Sequence, residues 1–152
     1  MTADRLWQYA LTAYGRPGVR RSCLALQDEA GVNVCLVLTA AWLASLGRCC
    51  DDETLDRLLD VAESWESVLR PLRQARRALR SRSEMLYARA RQLELAVERQ
   101  LLAALAQRIS ESQLPAMAPS RALADNLQRL AAHCESTPDQ EELWQQLVQA
   151  LA

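Results

Sequence analysis

The order of apolar and polar residues along the chain predicts a series of helices. Apolar residues recur at steps of three and four through most of the 152 residues, which is the spacing of a helix that buries one face. Glycines, prolines and capping residues divide this pattern into segments of helical length. About six or seven helices are predicted, at 3–14, 17–30, 32–46, 52–69, 71–110, 120–134 and 138–152.

The segment Val32–Leu46 is apolar on every side, unlike its neighbours. A helix of this kind is packed against others all round, and its 15 residues are too few to cross a bilayer. We therefore predict an all-α, single-domain bundle over 1–152, with this helix at its centre and Trp42 almost fully buried. The proline-containing linker at 113–119 leaves an alternative, in which 120–152 forms a C-terminal helical pair.

Residues 71–110 raise a question of helix continuity. Proline disfavours a helical conformation in the residue before it, so a boundary or a kink is predicted at Arg70. Beyond Pro71 the pattern resumes, and an unbroken helix to Ser110 would be about 60 Å long. A break at 80–83 fits the pattern equally well. One in-phase apolar face is predicted for this region, formed by Leu72, Ala75, Leu79, Leu86, Ala90, Leu93 and Val97.

Composition agrees with helices and narrows the chemistry. Leu and Ala dominate the apolar set, with one Ile and no Phe, which disfavours strands. All 18 basic residues are Arg, so a lysine Schiff base and a P-loop lysine are excluded. The five cysteines are an odd number, and the first residues lack the pattern of a secretory signal. We expect a cytoplasmic protein with reduced thiols.

Several segments resemble a family of short, all-helical proteobacterial proteins of unknown function. The matching residues are LWQYALTAY (6–14), RPGV (16–19), CLALQDEAGVNV (23–34), Trp42-Leu43-Ala44, RPLRQARRALR (70–80) and ELAVER (94–99). All of them lie within the first two-thirds of the chain. The resemblance implies a bacterial protein with one helical domain, and it implies no activity, cofactor or partner.

Charge is unevenly distributed along the chain. Residues 70–110 carry ten Arg and three acids, whereas 1–69 and 111–152 each have a net charge of −4. Five arginines in the basic segment fall on or near one line of a helix surface, called here the arginine stripe: Arg70, Arg73, Arg77, Arg80 and Arg91. We predict that the stripe faces solvent and forms a contact surface, because Arg suits fork-like recognition of carboxylate and phosphate.

No pattern of metal-binding or catalytic residues stands out. The single His, His133, has no ligand spacing around it, and neither a nucleophile elbow nor a glycine-rich phosphate loop occurs. The acid pairs Asp56/Asp60 and Glu94/Glu98 are interpreted as solvated helix faces, because a helical two-metal site also requires Glu-x-x-His. We predict no metal and no cofactor, and we favour a protein that is not an enzyme.

A polar cluster lies beside the apolar central helix. Gln27, Asp28 and Asn33 could anchor a small ligand, although residues of these types more often cap and connect helix ends. We interpret them as connecting residues and keep the ligand anchor as the alternative.

The arginine stripe favours a non-catalytic interaction or adaptor module, which binds another protein or a second copy of the chain. Four acids repeat the spacing of the stripe earlier in the chain: Glu53, Asp56, Asp60 and Glu63. Two chains packed antiparallel would therefore bring acidic and basic halves together in a homodimer.

Two other functions remain open. One is a small-molecule or lipid-binding helical protein, an enzyme included, with a cavity between its helices. The other is a nucleic-acid binder that uses the arginine stripe, which the acidic net charge and the lack of interleaved aromatics disfavour. No contact with a membrane is expected.

Overall fold

The helices of the structure follow the predicted segments, with shifted ends. The structure, a computed structural model, describes residues 2–110 and 113–152, and within them it contains seven helices and no strand. The helices are α1 (Thr2–Tyr14), α2 (Val19–Ala30), α3 (Val34–Ser45), α4 (Asp52–Leu79), α5 (Glu84–Ser110), α6 (Pro119–His133) and α7 (Pro138–Leu151). The all-α prediction is confirmed.

Side-chain caps explain where three of the helices begin. Asn33 and Asp51 each accept a hydrogen bond from a backbone amide three residues further on, at the starts of α3 and α4. At the start of α7, Thr137 and Gln140 form the capping box that the sequence TPDQ predicts.

Two predicted helix starts are wrong. Helix α2 begins at Val19 rather than at Pro17, because Gly18 has a left-handed backbone conformation, with φ 85°, that interrupts the chain before the helix. Helix α6 begins at Pro119, so Ser120 is not its cap. Proline suits this first position because the missing N–H would have no partner within the helix.

Helix α3 lies at the centre of the bundle, as its all-round apolarity predicts. Every residue from Val34 to Ala44 is buried, and α3 contacts the helices α1, α2, α4, α5 and α6. Trp42 is 6% exposed, which confirms the prediction of its burial. Helix α7 packs on α2 and α6 at the edge of this arrangement. None of the helices in the described residues is both long and apolar enough to cross a membrane.

Helix α4 passes through Pro71 without ending, so the predicted boundary at Arg70 is wrong. An internal proline costs a helix about 3 kcal/mol. Pro71 is exposed, so the carbonyl group that it leaves without an amide partner can bind water, while the neighbouring Leu69 is fully buried. The burial of α4 against α5 therefore outweighs the local cost of the proline.

The chain reverses at 80–83, the second predicted break, and α4 and α5 form an antiparallel hairpin. Because the chain reverses in this hairpin, the predicted apolar face is divided between two helices, and its residues differ in burial. Leu72 and Leu79 are half-buried, whereas Leu86 and Leu93 are 45% and 54% exposed. The buried and partly buried residues of α4 include a row at steps of three and four, which we assign to the seam with α5: Leu55, Leu58, Ala62, Trp65, Leu69, Leu72, Arg76 and Leu79.

The five cysteines are free thiols within the fold. Cys23, Cys35, Cys49 and Cys50 are buried, and Cys134 is partly buried. Burial raises the pKa of Cys23 and of Cys50 to about 12, which disfavours the reactive thiolate. The Cys49 thiol in addition donates a hydrogen bond to a carboxylate of α6.

Candidate functional site

A cleft of about 730 Å³ opens between α1, α2 and α3 on one side and the α4–α5 hairpin on the other. Part of its lining is apolar, because α3 and its neighbours turn apolar faces toward each other here. The apolar lining includes Trp7, Ala10, Leu24, Val34, Leu38 and Leu102. Leu11 of α1 and Leu95 of α5 also line the cleft and are about half exposed, so the apolar surface continues to its mouth.

Charged and hydroxyl-bearing side chains form the polar lining of the same cleft. They come from α1, α2, the end of α4 and α5, and they include Tyr14, Arg20, Arg76, Arg80, Tyr87, Arg91, Glu94 and Glu98. The arginines outnumber the glutamates by four to two, in a chain whose net charge is −1. The polar lining is therefore positive overall.

An ion-pair network holds Glu94 against α4 beside the cleft. Arg76 Nε donates to Glu94 at 2.5 Å, and Arg73 Nε lies 3.8 Å from the same carboxylate. Arg73 Nη1 pairs with Glu66 at 3.0 Å, and Asn33 Nδ2 donates to Glu66 at 2.7 Å. The network connects the start of α3 to both helices of the hairpin, so it fixes one wall of the cleft.

Glu98 is a cleft carboxyl group whose side chain forms no hydrogen bond and no ion pair within residues 2–110 and 113–152. Burial, and to a smaller extent the charge of Glu94, raises the pKa of Glu98 to about 7. Near neutral pH this group therefore exists both as a hydrogen-bond donor and as a carboxylate.

Glu98→Gln is expected to remove one source of pH-dependent stability. Because the pKa of Glu98 is about 7 in the fold and 4.5 in the unfolded reference, the folded state binds the proton more tightly. The contribution of this group to stability is complete below pH 4.5 and falls by about 2–3 kcal/mol as the pH rises to 7. The glutamine variant does not titrate there, so it should gain that amount relative to the wild type between pH 4.5 and pH 8.

Urea denaturation at pH 5 and pH 8 measures this effect. The control is Glu84→Gln, which changes an exposed acid on the same helix and should keep the wild-type pH dependence. If Glu98→Gln keeps it as well, the carboxyl group of Glu98 is not buried in the way described.

Two buried groups of the cleft, the thiol of Cys35 and the phenol of Tyr14, are poor nucleophiles at neutral pH. Burial raises the pKa of Cys35 well above its ordinary value and the pKa of Tyr14 to about 12. The Cys35 thiol lies 3.9 Å from the main-chain oxygen of Glu98, to which it donates. Across the described residues, no group of three or more His, Cys, Asp and Glu side chains is placed to hold a metal ion. The arrangement suits binding better than covalent chemistry.

The arginine stripe is divided between the cleft and the outer surface. Arg70, Arg77, Arg80 and Arg91 are all exposed, and of these Arg80 and Arg91 also line the cleft. Arg77 pairs with Asp28 of α2. Two of the five stripe residues, Arg80 and Arg91, therefore line one cleft with side chains of α1, α2 and α3, and the sequence did not predict this association.

Arg73 is the stripe residue for which the predicted exposure is wrong. It is 8% exposed and takes part in the ion-pair network. The reason is the position of the seam, which passes through Arg76 rather than Ala75 and so turns Arg73 toward the body of the protein. Ala75, which the sequence pattern assigned to the buried face, is exposed.

The predicted polar cluster does not form one site. Gln27 lines the cleft, Asp28 pairs with Arg77, and Asn33 caps α3 while it donates to Glu66. Asp28 and Asn33 connect helices, which is the interpretation that the sequence favoured.

Glu98 and the aromatic residues of the cleft are functional candidates that sequence reasoning missed. The interpretation of Glu94 and Glu98 as a solvated helix face is wrong for Glu94, which is buried. One signal was present: the segment 70–110 holds only three acids among ten arginines, and these two lie one turn apart. Acidic residues that occur within a basic segment are candidates for specific ion pairs or for buried positions.

A comparison with protein-family models matches residues 5–105 of the chain to the family described as "Protein of unknown function (DUF2390)". The matched range contains the segments on which the sequence resemblance rests, so the predicted membership in an uncharacterised family is confirmed. It also contains every residue of the cleft lining. Searches of curated proteins and of solved structures give no match.

Proposed function

Because the chain belongs to the family DUF2390, whose description carries no activity, we propose a function from the geometry of the cleft. The protein binds a small organic molecule there without converting it. The observation that carries this proposal is the cavity of about 730 Å³ with an apolar lining and converging polar groups. Binding sites for small molecules are commonly of this size and composition.

The absence of an activated nucleophile supports binding rather than catalysis. The single His of the chain, His133, lies on α6, where it faces Asp56 of α4 at 3.5 Å and does not line the cleft. The cleft thiol of Cys35 has a raised pKa. A general base paired with a nucleophile is therefore not found among the described residues of the cleft.

Ala88→Trp is expected to abolish binding of a small apolar probe. Ala88 lines the cleft and is exposed, so a tryptophan there fills the opening without disturbing the core. The probe is N-phenyl-1-naphthylamine, an uncharged dye whose fluorescence rises in apolar surroundings. We expect saturable binding to the wild type and at least a tenfold loss of affinity in the variant, about 1.4 kcal/mol.

Ala96→Trp is the matched control, because Ala96 is exposed on the same helix and does not line the cleft. It should bind the dye as the wild type does. Equal binding by both variants would place the dye elsewhere, and no binding by the wild type would contradict the proposed function.

A protein-interaction function through α4 is a second candidate. Its support is a line of four exposed charges at steps of seven along the helix: Asp56, Glu63, Arg70 and Arg77. Two copies of α4 packed antiparallel would place Glu63 beside Arg70 of the second copy. They would also place Asp56 beside its Arg77, which would exchange Asp28 for this partner. Exposed ion pairs contribute only about 0–1 kcal/mol each, so they would set the orientation of a homodimer, while neighbouring apolar residues such as Val68 supply affinity.

A homodimer of this kind should be strongest at low salt, because screening weakens exposed ion pairs. Sedimentation at low and high salt measures it. Arg70→Glu with Arg77→Glu should give a monomer, and adding Asp56→Arg with Glu63→Arg should restore the dimer. Arg82→Glu with Arg89→Glu changes the net charge equally away from this line and is the control. A wild type that stays monomeric at low salt and high concentration rules the homodimer out.

A further inference from the structure

The unpaired arginines of the cleft indicate the chemical class of the molecule that it binds. Of its four arginines, Arg76 is paired with Glu94, whereas Arg20, Arg80 and Arg91 form no ion pair with a carboxylate within residues 2–110 and 113–152. Three guanidinium groups that face one cleft repel each other. A bound anion would relieve that repulsion and could accept several charge-assisted hydrogen bonds.

These three arginines belong to three different elements. Arg20 lies on α2, Arg80 is the residue that follows α4, and Arg91 lies on α5. They line one cleft because the chain reverses at 80–83 and the end of α4 lies near α2, where Arg77 pairs with Asp28. Such convergence is unlike a solvated helix face, where neighbouring arginines come from a single helix.

Tyr87 lines the cleft beside these arginines. The guanidinium group of Arg91, and more weakly that of Arg76, lowers the pKa of Tyr87.

The apolar lining of the cleft indicates the chemistry of the remaining part of the ligand. Trp7, Leu38 and Leu102 border the same cavity as the unpaired arginines, and Leu11 and Leu95 extend the apolar surface to the solvent. An inorganic ion would leave that surface in water. A molecule with an anionic group at one end and an apolar chain at the other would cover both linings.

Glu98 offers little opposition to an anion at pH values below neutral. Its pKa is about 7, so below that pH the carboxyl group is mostly neutral and offers an O–H donor. The charged or titratable groups around it are Tyr14 of α1, Cys35 of α3, Arg73 and Arg76 of α4, and two neighbours on α5, Arg91 and Glu94.

From these placements we infer that the ligand of the cleft is an amphipathic organic anion, a carboxylate or phosphate monoester on an apolar chain. Its anionic group binds between Arg80 and Arg91, within reach of Arg20, and its chain covers the apolar lining. This inference rests on the proposed function and adds the chemical class of the ligand to it.

Calorimetric titration at pH 6 with probes of equal chain length tests the inference. The probes are decanoate, decyl phosphate, 1-decanol and decyltrimethylammonium, each used below the concentration at which it aggregates. We expect at least one of the two anions to bind about tenfold or more tightly than the alcohol, since a hydrogen bond to a charged group contributes about 1.5–3 kcal/mol. The anion that binds more tightly identifies the head group as carboxylate or phosphate.

Paired variants locate the anionic group. Arg80→Ala with Arg91→Ala should lower the affinity for the anion about tenfold or more and leave the affinity for 1-decanol within about twofold. Arg82→Ala with Arg89→Ala removes the same charge from exposed positions outside the cleft lining and should change neither affinity by more than about twofold.

The outcomes separate this inference from the proposed function. If 1-decanol or decyltrimethylammonium binds as tightly as both anions, or if the two double variants behave alike, the anionic class is wrong while the cleft remains a binding site. If neither these probes nor the uncharged dye binds, the proposed function fails together with the inference.

Discussion

Arg73→Ala is expected to destabilise the protein by about 3–5 kcal/mol, the range for removing one partner of a buried ion pair. Among the described residues, the substitution leaves Glu66 with only the amide of Asn33 as a partner, and it leaves Glu94 with Arg76 alone. Glu66 and Glu94 are both largely buried, so the lost charge is not replaced by water. Urea denaturation should show a lower midpoint with an unchanged slope.

Arg77→Ala is the matched control for this prediction. Arg77 belongs to the same helix and also forms an ion pair, but it and its partner Asp28 are each more than half exposed. An exposed pair contributes about 0–1 kcal/mol, so the variant should unfold almost as the wild type does. If the two alanine variants lose the same stability, the network around Arg73 does not hold the hairpin against α3.

Trp42→Ala is expected to cost about 3–5 kcal/mol as well, for a different reason. Trp42 is buried at the centre of the bundle, and its removal leaves a cavity that the surrounding helices fill only in part. The loss is measured as the free energy of unfolding in urea. Trp65→Ala is the comparison, because Trp65 is only partly buried in the hairpin seam and should cost less.

A Trp42 variant that loses no more stability than the Trp65 variant would mean that α3 is not the packed centre. Circular dichroism of both variants before denaturation shows whether each one still folds. The two tryptophan variants and the two arginine variants test separate parts of the fold, since Trp42 and Arg73 have no shared ion pair or hydrogen bond among the described residues.

The central helix could be predicted because its composition alone determines its environment. A segment in which every residue from Val34 to Ala44 is apolar, small or able to bond its own backbone has no face to offer to water. The capping box at Thr137 could also be predicted from the sequence, because both of its hydrogen bonds form between residues three apart. Features of this kind depend on neighbours in sequence.

The environments of Pro71 and Arg73 could not be predicted from neighbours in sequence. The cost of a proline in a helix is local, but the contact with α5 that outweighs it is made by residues far along the chain. The exposure of Arg73 depends on which row of α4 residues faces α5, and a rotation of about one residue moves Arg73 from solvent into the network. The periodicity of α4 alone does not distinguish these two arrangements, because each of the two possible rows of residues contains leucines.

The cleft could not be predicted because it requires five helices at once. Arg20, Arg80 and Glu98 are separated by 60 and 18 positions in sequence, and no spacing rule connects them. The sequence left a binding cavity between helices as an alternative. It could not predict which side chains line the cleft, since the reversal at 80–83 and the packing of α1, α3 and α5 decide it.

The buried thiols give the protein an internal reporter of its own opening. A thiol reagent in solution reaches Cys23 only while the helices around that residue are apart. Labelling followed by mass spectrometry would therefore record how often α2 separates from its neighbours in the native state. Cys134, which is only partly buried, should be labelled before Cys23.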